Sequence, residues 1–138
     1  MSYPLTFAAV LTVGVGIAHS YLGERYILIR LFRRENLPQL SGSKRFTKQV
    51  LRFAWHLTTI AWFGLAIVML VLGDSVGAPR PSVAVLSSED PDALARSVGQ
   101  VIAGIFAVSA VLTAGASRGK HLAWPVFAAI AVLTWVGV

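Results

Sequence analysis

Three histidines carry most of the chemistry open to this chain: His19, His56 and His121, each within a few residues of the end of an apolar run. An imidazole titrates near neutral pH, ligates transition metals and takes axial positions on haem. His19 lies three residues before the end of the first apolar run, ~5 Å inside it at the helical rise. His56 lies four residues beyond Arg52 at the start of the second run, ~6 Å inside it. If the two runs are antiparallel helices, the imidazoles arrive at one height. His121 begins the fourth run on the same side.

Three chemistries fit that placement. Imidazoles from facing helices suit a metal held by His19, His56 and His121, or a single haem held at His19 and His56 with Glu24 close by. They also suit a proton or substrate relay, since ionisable groups inside a membrane line pathways. A third reading is a hydrogen-bonded lock between helices, worth about 1 kcal/mol per bond. Glu24 is five residues from His19, which in an unbroken helix separates the two side chains by ~140°. Joint coordination therefore requires a bend near Gly23, and Glu24 is otherwise expected on Arg52, Lys48 or an arginine of the connection. Arg52, His56 and Thr59 share one helical face.

The elements that must position these groups are four apolar runs: Pro4 to Leu22, Leu51 to Leu72, Ala93 to Ala114 and Leu122 to Val138. Each approaches the ~20 residues a helix needs to cross ~30 Å of hydrocarbon. With 138 residues, 56% of them hydrophobic and 13% charged, the chain has too little polar surface for a soluble globule. The expected fold is all-α, a single transmembrane domain over 1–138 built as a four-helix bundle. Of twelve Lys and Arg residues, all but Arg80 and Arg96 fall in two places. Arg25, Arg30, Arg33, Arg34, Lys44, Arg45, Lys48 and Arg52 lie between the first run and the start of the second; Arg118 and Lys120 lie between the third and fourth. Positive-inside bias then puts both basic connections in the cytoplasm and both termini outside. The net charge of +6 is read as attraction to anionic lipid headgroups, not to nucleic acid, because the cations crowd against span ends.

Local signals refine these elements. Tyr26 to Arg34 mixes apolar and basic residues and suits the headgroup layer, either past a bend at Gly23 or as a continuation of one long helix. Ser43 is a candidate N-cap for a long second helix closed by Gly73 and Asp74. Asp90 and Pro91 read as N-cap and first-turn proline of the third helix, and Ser117-Arg118-Gly119-Lys120 as a tight turn into the fourth, with Pro125 in its first turns. Residues at helical spacing, small but for His19, mark interior seams: Ala9, Thr12, Gly16, His19 and Gly23 in helix one, and Ala103, Ala107, Ala110 and Ala114 in helix three. Trp55 and Trp124 fall where an inner aromatic belt is expected, while Trp62 is deeper and packs.

Several activities are disfavoured. The chain has no cysteine, hence no disulfide, thiolate metal site or thiol nucleophile. No Asp or Glu lies in the middle of a run, which leaves proton-coupled cation export without a charge carrier. Zinc-protease spacing, phosphate loops and dinucleotide fingerprints are missing.

The strings His19-Ser-Tyr-Leu-Gly-Glu-Arg25 and Arg52-Phe-Ala-Trp-His-Leu-Thr58 resemble a motif pair of short bacterial inner-membrane proteins with four predicted spans. The resemblance covers the first half of the chain. It implies a bacterial inner membrane and makes His19, Glu24, Arg52, Trp55 and His56 the residues to test, and it implies no reaction. The expectation is a non-enzymatic membrane protein whose cytoplasmic-side polar cluster binds a metal, haem or polar ligand or locks the helices. The alternatives are a small transporter or proton-conducting subunit, and a structural subunit of a homodimer or larger membrane complex.

Overall fold

A computed structural model describes residues 2–34, 36–39, 42–76 and 92–138, and among them every regular element is helical. Helix α1 is an α-helix over Tyr3–Leu22, widens into a π-helix over Gly23–Leu28 and closes with an α-turn over Ile29–Phe32. Helix α2 spans Lys44–Ser75, α3 spans Ala93–Ser117 and α4 spans Ala123–Gly137. The first three are long and apolar enough to cross a membrane. The fourth, at 15 residues, is ~22 Å long and falls short of the hydrocarbon thickness on its own.

Chain chemistry accounts for the boundaries. Ser43 caps α2, its hydroxyl accepting from the Phe46 N–H at 3.3 Å, and Thr47 ties the connection down by donating to the Pro38 carbonyl at 2.9 Å. The second helix thus begins well before the apolar run does, because capping and not hydropathy sets its start. Helix α3 ends with Arg118 left-handed at φ 52° and Gly119 at φ 75°, and the Gly119 N–H bonds the Ala114 carbonyl at 2.8 Å, which closes the helix by an αL turn. Pro125 sits in the first turn of α4, where its missing N–H is harmless. The anticipated cap at Asp90 and Pro91 lies outside the described residues; α3 starts at Ala93.

The described residues form two compact units. In the first, made of residues up to Thr12 and from Leu65 on, Leu5, Ala8, Thr12, Met69, Ile130 and Thr134 are buried. The Ser2 N–H donates to the Gly73 carbonyl at 2.8 Å and its hydroxyl to the Gly137 carbonyl at 3.0 Å. Helices α3 and α4 pack as an antiparallel pair through Phe106 and Phe127, whose ring centroids are 5.9 Å apart. Ala103 and Ala110 are buried as expected of a seam, but Ala107 is exposed and Ala114 half-buried, so the small-residue stripe of α3 is only partly interior.

The second unit is Val13–Gly64, the lower part of α1, the connection and the first part of α2. Gly16 and Gly23 are buried against α2, at Phe63 and Trp55 respectively, which is how the two backbones approach. Outward positions such as Ile17, Phe53 and Ile60 are apolar and exposed. A surface of that kind is consistent with a small membrane protein.

Candidate functional site

Within the Val13–Gly64 unit, α1 presents His19, Ser20, Gly23 and Glu24, and α2 presents Arg52, Trp55, His56, Thr58, Thr59 and Trp62. The ladder runs in opposite directions on the two helices. Glu24 meets Arg52, Ser20 meets His56, and Gly16 meets Thr59 and Phe63.

At its lower end, Arg52 grips Glu24 with two bonds, Nη2 to Oε1 at 2.7 Å and Nε to Oε2 at 3.1 Å. The expected Glu24 partner is thus Arg52, one of the three considered. The Arg52 side chain is 51% exposed, so this pair is worth at most about 1 kcal/mol. Its guanidinium also lies over Phe32, 5.3 Å from the ring centroid.

One level up, the His56 ring bridges two α1 side chains, Nδ1 to the Ser20 hydroxyl at 2.5 Å and Nε2 to Glu24 Oε2 at 3.5 Å. The carboxylate can only accept, which places the proton of a neutral ring on Nε2 and makes Nδ1 the acceptor of the Ser20 O–H. The sequence alone assigned Ser20 no partner and missed this pairing. The signal was available, because Ser20 and Glu24 are four apart and His56 was already placed at their depth.

His19 is held differently. Its ring stacks on Trp55 with centroids 4.5 Å apart and planes 4° from parallel, and meets Trp62 edge-on at 5.0 Å. Thr58 donates to the Trp55 carbonyl at 2.7 Å, so at its 3.1 Å contact with His19 the hydroxyl accepts from Nε2–H. The Trp55 indole N–H donates to the His19 carbonyl at 3.1 Å. Trp55, expected in an aromatic belt, therefore serves helix packing. The π-helix starts at Gly23, where a bend was anticipated, and a π turn is a frequent mark of a strained or functional segment.

His121 lies in the other unit, exposed, with Nδ1 accepting from the Ala123 N–H at 3.1 Å, an N-terminal cap for α4. Among the described residues, no three His, Asp or Glu side chains are gathered so as to hold a metal ion. Ser20, His56 and Glu24 stand in the order of a nucleophile, base and orienting acid. Ser20, however, sits inside a helix whose N–H groups are committed to backbone bonds, so a tetrahedral oxyanion would meet no donor there, and Glu24 already belongs to Arg52. What the arrangement can do is join two helices and pass a proton across one imidazole. Comparison with protein families, curated proteins and solved structures finds no match for this chain.

Proposed function

We propose that this chain is a non-enzymatic protein of the bacterial inner membrane, a four-helix bundle with both termini outside, serving as a structural or assembly subunit. In this reading the cluster at the cytoplasmic end of α1 and α2 locks the helices together and holds no metal or haem. The observation that carries it is the commitment of His19: one face of its ring covers Trp55, its edge meets Trp62 and Nε2 is engaged by Thr58. Axial ligation at Nε2 would break that chain and unstack the ring. Glu24, the other candidate ligand, has both oxygens on Arg52.

The test is absorption spectroscopy and elemental analysis of protein purified from its membrane. The reading expects no Soret band and no stoichiometric metal, together with a lowered melting temperature in detergent for His19→Ala. A haem spectrum or one metal per chain, lost in His19→Ala or His56→Ala, would overturn it.

A second reading is supported by the His56 bridge. A proton passed through the Ser20 hydroxyl to Nδ1 can leave from Nε2 to Glu24 without movement of the ring. Proteoliposomes under a pH gradient decide this: proton flux that depends on His56 would favour a conducting subunit over a lock.

A further inference from the structure

Arg25 and Arg30 are five residues apart, a spacing that in an α-helix points side chains ~140° away from each other. A π turn narrows that angle, because its backbone bond spans i to i+5 and each residue turns less about the axis. The chain places a π turn over Gly23–Leu28, with the Ile29 N–H bonded to the Glu24 carbonyl five residues back, so Arg25 lies inside the wide turn and Arg30 in the α-turn that follows it. Both guanidinium groups lie within reach of the Tyr26 ring, 5.9 Å and 5.6 Å from its centroid. Two like charges drawn to one phenol ring repel each other and call for an anion between them or beside them.

None is supplied by the described residues. The one carboxylate at hand, Glu24, is taken by Arg52 and approached by His56, and neither Arg25 nor Arg30 pairs with an acid there. Both arginines are exposed. They border a band of exposed apolar side chains, Tyr21, Leu22, Ile27 and Ile29, so an anion reaching this spot does so beside a hydrocarbon-facing surface.

We infer that Arg25, Tyr26 and Arg30 form a site for the phosphate of an anionic phospholipid headgroup, at the junction of the π turn and the α-turn that closes the helix. Charge complementarity and the adjoining apolar band select a lipid over a soluble phosphate, since acyl chains can lie on Ile27 and Ile29 while the phosphodiester meets the two forks. The inference rests on the membrane reading above, and it goes further by naming a lipid class and its residues.

The test uses the full chain reconstituted in vesicles of phosphatidylcholine alone or mixed with phosphatidylglycerol, then extracted gently and weighed by native mass spectrometry for bound lipid. Retention of phosphatidylglycerol over phosphatidylcholine is expected, reduced about tenfold or more by Arg25→Gln with Arg30→Gln. Lys44→Gln with Arg45→Gln removes the same charge from the connection and is expected to leave retention within about twofold, since screened charges act only near the surface. Tyr26→Leu, which keeps both charges but not the ring they share, is expected to weaken retention as well. The melting temperature of each variant in phosphatidylcholine controls for folding.

Equal losses in the two charge-removing pairs would overturn the site and leave a diffuse positive surface. Equal retention of the two lipids by the unaltered chain would overturn it outright. Displacement of bound phosphatidylglycerol by inorganic phosphate at equal concentration would overturn the choice of a lipid. A chain that fails to float with phosphatidylcholine vesicles at all would instead sink the membrane reading beneath it, a different result from floating without lipid preference.

Discussion

The indole of Trp55 occupies the space where a side chain on Gly23 would stand: a Cβ there would overlap Nε1, Cε2 and Cζ2 of the ring. The obstruction is a rigid aromatic that is also stacked on His19 and bonded to its carbonyl, so it cannot swing aside cheaply. Gly23→Ala is therefore expected to destabilise the chain by about 1–3 kcal/mol, the usual cost of overpacking. Gly14→Ala, which meets nothing within 4 Å, is expected to be neutral or to stabilise by up to about 1 kcal/mol through helix propensity. Thermal unfolding in detergent followed by tryptophan fluorescence checks both, and equal effects of the two substitutions would refute the Trp55 contact.

Trp55→Phe isolates the indole N–H from the stack. Phenylalanine keeps a flat ring over His19 but leaves the His19 carbonyl, at the edge of the π turn, without its donor at 3.1 Å. A loss of about 0.5–1.5 kcal/mol is expected, accompanied by faster amide exchange over Gly23–Leu28 than in the unaltered chain. Unchanged exchange there would mean that the π turn does not depend on this bond.

The Glu24 and Arg52 pair is half in solvent, so each single neutralisation is expected to cost at most about 1 kcal/mol. The informative variant is the exchange, Glu24→Arg with Arg52→Glu. It restores opposite charge across the helices while Glu24→Arg alone places two guanidinium groups face to face beside His56. A melting temperature for the double variant above that of either single reversal is the expected result. Additive losses would show that the pair contributes nothing as a pair.

Much of this fold could be read from residue types, and the failures have identifiable physics. Hydropathy located the helices because apolar runs are long relative to their interruptions, and Ser43, Gly119 and Pro125 marked ends by local chemistry that needs no tertiary context. The shortness of the fourth helix escaped, since the apolar run Leu122 to Val138 is α-helical only over Ala123–Gly137 and hydropathy measures where a chain is apolar, not where its backbone bonds begin. In the site, depth arithmetic brought helix one and helix two into register, and Glu24 with Arg52 followed from charge. What stayed hidden was azimuth. A π turn at Gly23 has no propensity signature, and it decides which side chains beyond it share a face. The pairing of His19 with Trp55, and of His56 with Ser20, likewise depends on rotations of a few tens of degrees that period counting does not resolve.

Thr59 offers the last and sharpest check of the helix seam. It is 5% exposed, lies against Gly16, and among the described residues its hydroxyl has no hydrogen-bond partner. A buried hydroxyl left unpaired costs about 1–3 kcal/mol. Its usual refuge is a backbone carbonyl in the preceding turn, but the Trp55 carbonyl is taken by the Thr58 hydroxyl at 2.7 Å. Thr59→Val keeps the shape and removes the oxygen, so the expected effect on melting temperature is a rise or no change, against a fall for Thr58→Val, which strips His19 of its acceptor. A fall with Thr59→Val as large as with Thr58→Val would mean that the Thr59 hydroxyl is satisfied in the native membrane, and that the seam between Gly16 and Phe63 is wetter than its packing implies.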